Sequence, residues 1–168
     1  MKDTVDVRLA QWRSERPDLD PTPMGVIGRI QRSSRVLERK LGENFAAHEL
    51  QLWEFDVLGT LLRSGSPYQL SAGQLLESAM VTSGAITNRI DRLVTRGLVT
   101  REVDPQSRRR VLITLTDHGR ELINPVVTSH VNFEKVLLEG LTGSESQQLA
   151  DLLRKLLFSL GDGPNEAP

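Results

Sequence analysis

The sequence predicts a mainly α-helical chain with a small β-hairpin wing, a winged helix-turn-helix flanked by N- and C-terminal dimerisation helices. Three observations carry this prediction. Between Leu70 and Thr116, two short helical patterns separated by a turn lead into a basic hairpin. Segments with apolar residues at helical spacing precede and follow it, and arginines gather in the middle of the chain while acids gather at its end.

The central segment opens at Ser71, an N-cap residue for a short supporting helix with Leu75, Leu76 and Ala79 as its apolar side. A turn is expected at Met80-Val81, after which Thr82 or Ser83 caps a second helix. There Ile86, Ile90, Leu93 and Val94 fall on one side and anchor it to a core. The opposite side carries Gly84, Asn88, Arg92 and Thr95, small or hydrogen-bonding residues able to enter a major groove. Ser83, Gly84, Thr87, Asn88 and Arg92 are therefore the candidate DNA contacts of a recognition helix. Gly97 stops that helix, and Leu98 to Val103 alternates as a strand does. Asp104-Pro105-Gln106-Ser107 makes the turn, Arg108, Arg109 and Arg110 follow, and Val111 to Thr116 returns. Three arginines at a hairpin tip repel one another unless an anion is near, so a phosphate backbone or a narrow minor groove is their natural partner. The plain alternative is a solvated basic turn; the position directly behind a helix-turn-helix favours DNA.

The 168 residues suit one compact domain overall, with a formal net charge of -1. That near-neutrality hides a split. From Ser83 to Arg110, seven arginines face Asp91, Glu102 and Asp104, whereas from Asp117 to Pro168 four bases face eight acids. One face for DNA and another for a different partner is expected. The absence of cysteine excludes disulfides, thiolate metal sites and thiol-based redox sensing. No apolar run approaches the ~20 residues that span a bilayer, and the N-terminus lacks the apolar core of a signal peptide, so a cytoplasmic protein without membrane partners is expected.

The remaining elements follow from spacing and breakers. Val5 to Glu15 forms a short front helix with Val5, Leu9 and Trp12 on one side, and residues 1–20 make an extra N-terminal element with its linker. Thr22-Pro23, a capping hydroxyl with proline at the first helical position, starts a long helix to about Leu41, within an N-terminal dimerisation segment at 21–48. Leu50 to Leu62 is a third helix with Leu50, Trp53, Val57, Leu58, Leu61 and Leu62 as its buried stripe, and it opens the DNA-binding region at 49–116. Thr116 caps a helix from Asp117 to about Glu139 that Pro125 should kink, and Thr142-Gly143-Ser144-Glu145 matches a capping box. Leu149, Leu152, Leu153, Leu156, Leu157 and Leu160 then form a leucine stripe. So apolar a terminal helix needs a partner, either its own subunit or, as a reader of palindromic DNA requires, a second copy. The C-terminal dimerisation helices are thus expected at 117–161, and a disordered tail is expected at 162–168.

Little in the chain suits catalysis. His48, His118 and His130 are scattered over three elements, with no HxxxH pair, no glycine-rich phosphate loop and no Gly-x-Ser-x-Gly elbow. A metal site is not expected either, and neither is a cofactor. A winged helix that binds protein through its basic wing is the other rival; the outward Asn88 and Arg92 with the wing arginines favour DNA.

In this order of elements the chain resembles the MarR family of bacterial transcription regulators over roughly Pro23 to Leu160. The resemblance is most specific at Ile86-Thr87-Asn88-Arg89-Ile90-Asp91-Arg92-Leu93, at Arg96-Gly97-Leu98-Val99 and at the wing's return strand. The chain departs from the family in having Ser107, where an aspartate commonly precedes the wing arginine by two residues. That leaves either a looser wing tip or a shared role for Arg108. The phrase Trp12-Arg13-Ser14-Glu15-Arg16-Pro17-Asp18-Leu19-Asp20 is similar to the urate-responsive PecS-type branch. The resemblance implies that Trp12, Asp56, Arg89 and Arg101 take part in the response to urate. It also implies a homodimer that represses a promoter until urate, or a similar purine anion, lowers its affinity for DNA. Arg89 lies on the helical wheel at the border between groove side and core side, where it could feel a charge behind the helix. An arginine to hold a flat anion and an indole to cover its face are chemically suitable. Asp56 nearby would set like charges together, and relief of that repulsion is a switch. Another aromatic anion, such as a phenolic carboxylate, is the alternative effector.

Overall fold

The computed structural model describes residues 1–78 and 86–163. Ala79 of the supporting helix, the expected turn at Met80-Val81, the alternative caps Thr82 and Ser83, Gly84 and residues 164–168 of the expected tail lie outside the described residues. The chain divides into two compact units, Met1–Val126 and Val127–Pro168.

In the first unit, α1 spans Thr4–Glu15 and α2 spans Thr22–Ala46. Asp3 caps α1, its carboxylate accepting the N–H groups of Val5 and Asp6 at 2.8 and 2.9 Å, while the Asp6 carboxylate accepts the Asp3 N–H at 2.9 Å. Val5 and Leu9 are buried against small positions of α2, with Leu9 over Gly25 and Val5 over Gly28. Arg29 reaches back to Asp3 at 2.8 Å and Asp6 at 2.7 Å. Each carboxyl is held below its usual range, first by the other residue's backbone N–H and then by this guanidinium. Trp12 does not share the burial of Val5 and Leu9: it is 45% exposed. Thr22 is not the cap of α2. Pro21 takes that position without a side-chain bond, and the Asp20 carboxylate accepts both the N–H and the hydroxyl of Thr22. The helix also outruns its expected end at Leu41, and its exposed Val26, Ile27, Val36 and Leu37 leave it with Gly25 and Phe45 as its buried residues.

Stacked rings of Phe45 and Phe55, 4.2 Å apart at their centroids, join α2 to α3, Leu52–Arg63. There Val57, Leu58 and Leu61 are buried as their spacing requires, while Trp53 and Leu62 are only half-buried. The chain then forms β1, Gln69–Ser71, an element that the periodicity did not announce. Ser71 is the expected cap of α4, Ala72–Ser78: its hydroxyl accepts the Gln74 N–H, and the Gln74 side chain accepts the Ser71 N–H. The second helix of the pair, α5, runs Ile86–Thr95 and buries Ile86, Ile90 and Leu93 but not Val94. Strands β2, Val99–Asp104, and β3, Ser107–Leu115, complete an antiparallel sheet ordered β1-β3-β2.

α6 spans Asp117–Leu137 and continues through Pro125. Its start is tied to the hairpin: the Thr116 hydroxyl accepts the Gly119 N–H at 2.9 Å and donates to the Gly97 carbonyl at 2.8 Å. α7, Gly143–Ser159, belongs to the second unit and carries the predicted capping box of Thr142 and Glu145. None of its residues is buried; Leu149, Leu152, Leu153, Leu157 and Phe158 are exposed in the single chain.

Candidate nucleic-acid interface and effector residues

Burial of Ile86, Ile90 and Leu93 fixes which side of α5 faces away from the core. Thr87, Asn88 and Arg92 are exposed there, an amide and a guanidinium suited to base edges with a hydroxyl suited to phosphate. Ser83 and Gly84, expected beside them, fall outside the described residues.

The wing differs from a hairpin with arginines at its tip. The turn is Pro105-Gln106, since Asp104 pairs with Ser107, and the next pair is Val103 with Val111. The register thus passes over Arg108, Arg109 and Arg110, which form a bulge of β3 without cross-strand mates on β2. The buried Asp104 sits beneath it, one oxygen accepting the Gln106 N–H at 2.8 Å and the other 3.5 Å from Arg110. Asp104 therefore steadies a wing arginine in place of the aspartate that Ser107 replaces, and the arginine it steadies is Arg110. Arg108 and Arg109 have no ion pair among the described residues.

Two unpaired cations on a bulge are free to neutralise phosphates. Replacing Arg108 and Arg109 together by alanine should weaken binding to all duplexes alike and flatten the dependence of log affinity on log salt by about 1.8. A salt titration of the double variant checks this, and an unchanged slope would show that neither residue meets a phosphate.

The four residues assigned to the effector do not meet at one point in the single chain. Arg89 is half-buried, with its guanidinium carbon 5.5 Å from the centre of the Trp53 ring on α3. Asp56, also half-buried, lies three residues along the same helix, so Trp53 and Asp56 are neighbours on one face of α3. Arg101 of β2 is engaged by Asp91 of α5 at 2.9 Å, across a surface where both are half exposed. Trp12 stands elsewhere, in a groove of about 430 Å³ between α1 and α2, with Arg8, Met24, Arg32 and Arg35. Sequence reasoning placed Trp53 in the core, and it also missed Glu54, which is 5% exposed and joined to Arg96 at 2.7 Å. The spacing of Gln51 and Glu54 is that of a capping box and could have found half of this. Nothing local announces a partner 42 residues away.

A model described as the MarR family matches residues 48–110. The HTH-type transcriptional regulator PecS of Dickeya dadantii (strain 3937) is 42% identical over 148 residues, which are 88% of this chain and 89% of that protein. The chain belongs to the MarR family. Like its relatives, this MarR-family member is a DNA-binding transcription regulator. A mutant MarR from E. coli, solved in complex with operator DNA, matches it with a TM-score of 0.71 at 26% identity, over 87% of this chain and 97% of that one. The structure of Bordetella bronchiseptica BpsR, which concerns regulation of that protein's DNA binding by 6-hydroxynicotinic acid, matches with a TM-score of 0.70 at 26% identity. That match covers 78% of this chain and 91% of BpsR. Other relatives are transcriptional regulators too, among them HosA of Escherichia coli O111:H-. No helix among the described residues is long and apolar enough to cross a membrane.

Proposed function

We propose that this regulator is a homodimeric, cytoplasmic repressor, bound to a palindromic operator and released by urate or a related purine anion. The observation that carries the reading is the placement of Arg89. It belongs to the helix that turns Thr87, Asn88 and Arg92 outward, yet its guanidinium reaches back over Trp53, a neighbour of Asp56 on one face of α3. A flat anion held by the Arg89 guanidinium and covered by an indole brings negative charge towards the Asp56 carboxylate, which repels it. Moving α5 relieves the repulsion, and moving α5 is what loosens DNA. Trp12, Asp56, Arg89 and Arg101 are the residues assigned to this response. Ser83, Gly84, Thr87, Asn88, Arg92 and the three wing arginines are those assigned to DNA. The exposed leucine stripe of α7 supports the dimer, since a palindrome needs two recognition helices about 34 Å apart.

A second reading, an aromatic carboxylate as effector, is favoured by the 6-hydroxynicotinic acid that regulates DNA binding of BpsR. A mobility-shift titration on the intergenic DNA beside the protein's own gene, with urate, 6-hydroxynicotinic acid or neither, separates the two. A specific complex dissolved by urate alone is the expected result. Dissolution by the carboxylate alone would transfer the role to that class, and a complex indifferent to both would remove the effector site. Replacing Asp56 by asparagine should blunt the response; an undiminished response would refute the repulsion mechanism.

A further inference from the structure

We infer that Glu54 is a positioning residue for DNA recognition, acting through Arg96 to set the pose of the recognition helix. This inference rests on the DNA-reading role of α5 and is independent of the effector's identity.

Glu54 lies in the first turn of α3 and is buried, so it touches no DNA itself. Its two oxygens serve two helices. One accepts the Gln51 N–H at 2.8 Å and closes the N-terminal cap of α3; the other accepts a guanidinium N–H of Arg96 at 2.7 Å. Arg96 follows the last residue of α5 directly, and its second terminal nitrogen donates to the Glu49 carbonyl at 3.2 Å. Glu49 is held in the left-handed region, φ 55°, in the turn before α3, with its own N–H on the Ala46 carbonyl at 3.1 Å. The planar guanidinium is thus clamped between a capping carboxylate and a fixed turn. The end of α5 cannot slide or roll without breaking a charge-assisted bond to a buried carboxylate. The other α5 ion pair, Asp91 with Arg101, is half exposed and screened by solvent. The Glu54–Arg96 pair is therefore the more firmly held of these two ion pairs, beside the apolar anchors Ile86, Ile90 and Leu93.

Pose matters because base readout and phosphate attraction tolerate displacement differently. Hydrogen bonds to base edges weaken steeply with distance and angle, whereas attraction to phosphates does not depend on register. Loss of the clamp should therefore reduce binding to the operator and spare binding to unrelated duplex. Electrostatics alone predicts the opposite for Glu54→Gln, because removing an acid adds net positive charge and should tighten binding to any DNA.

The test is a binding titration of the full-length protein with Glu54→Gln, and separately Arg96→Lys, on the intergenic fragment and on unrelated duplex over a series of salt concentrations. Glutamine keeps an oxygen for the α3 cap, and lysine keeps the charge without the two-point reach. Each variant is expected to lose about tenfold or more in affinity for the fragment, with no loss on unrelated duplex and the salt slope unchanged; combining them is expected to add little to the worse single. Should Glu54→Gln fail to fold, Arg96→Lys carries the same comparison. Wild-type affinity for the fragment, or an equal loss on both duplexes, would overturn the positioning role. A wild-type protein that itself fails to prefer the fragment would overturn the DNA-reading role of α5, and the positioning role with it.

Discussion

Replacing Gly119 by alanine is expected to destabilise the protein by about 3 kcal/mol or more and to lower the melting temperature by about 6–12 °C. A Cβ at this position would lie 2.2 Å from the Leu98 carbonyl oxygen, 3.1 Å from its carbon and 2.8 Å from Cδ1 of Leu115. The leucine tip could turn aside, but the obstacle at 2.2 Å is backbone. That backbone is held from both sides: the Leu98 carbonyl accepts the Thr116 N–H at 3.1 Å, and the buried Leu98 side chain lies in the core. The first turn of α6 must then move off the segment joining α5 to β2, breaking the bond from the Gly119 N–H to the Thr116 hydroxyl. Helix propensity pulls the other way, since alanine is favoured over glycine within a helix by about 1 kcal/mol. The sign of the result decides between the two. Thermal unfolding followed by circular dichroism makes the measurement, and a melting temperature at or above wild type would show that the first turn of α6 can lift at little cost.

Aspartate at both Leu153 and Leu157 is expected to convert the proposed dimer to a monomer of 18.8 kDa and to reduce operator affinity by about a hundredfold or more. These side chains are exposed in the single chain, as are Leu149, Leu152 and Phe158, so the substitutions remove nothing from the core and helical content should persist. In a dimer built on this stripe each leucine contributes about 1.5–3 kcal/mol of apolar burial, and a buried, unpaired carboxylate reverses that contribution. Operator binding suffers because a linked second reading head engages DNA at high effective concentration, a gain that separate monomers lose. Light scattering at matched concentrations reads the mass. A persistent dimer would place the interface elsewhere, with the exposed apolar residues of α2, Val26 and Ile27 among them, as the next surface to test.

Much of the fold was legible because its signals are local. The caps at Ser71, Thr116 and Thr142 are formed by a hydroxyl and a backbone N–H three residues away, and each was readable from the residues that form it. The core side of α5 was readable from period alone for Ile86, Ile90 and Leu93. Thr22 shows the limit even of local signals: a capping hydroxyl before proline was a sound expectation, but Asp20 two residues earlier competed for it. Short β1 was illegible because three residues carry no periodicity, and their strand character comes from pairing with Thr114, Ile113 and Leu112 of β3.

The candidate site divides along the same line. Composition and spacing alone determined that this chain carries a basic segment between apolar helices, and which side of α5 faces out, because charge and helical period are properties of contiguous residues. Only the tertiary structure decided which partner each charge takes. It seats Arg89 over Trp53, gives Arg101 to Asp91 and Arg96 to Glu54, lifts the wing arginines onto a bulge over Asp104, and leaves Trp12 in a groove of its own. The reason is physical: an arginine is compatible with phosphate, carboxylate and indole alike, and packing between elements distant in sequence selects among them.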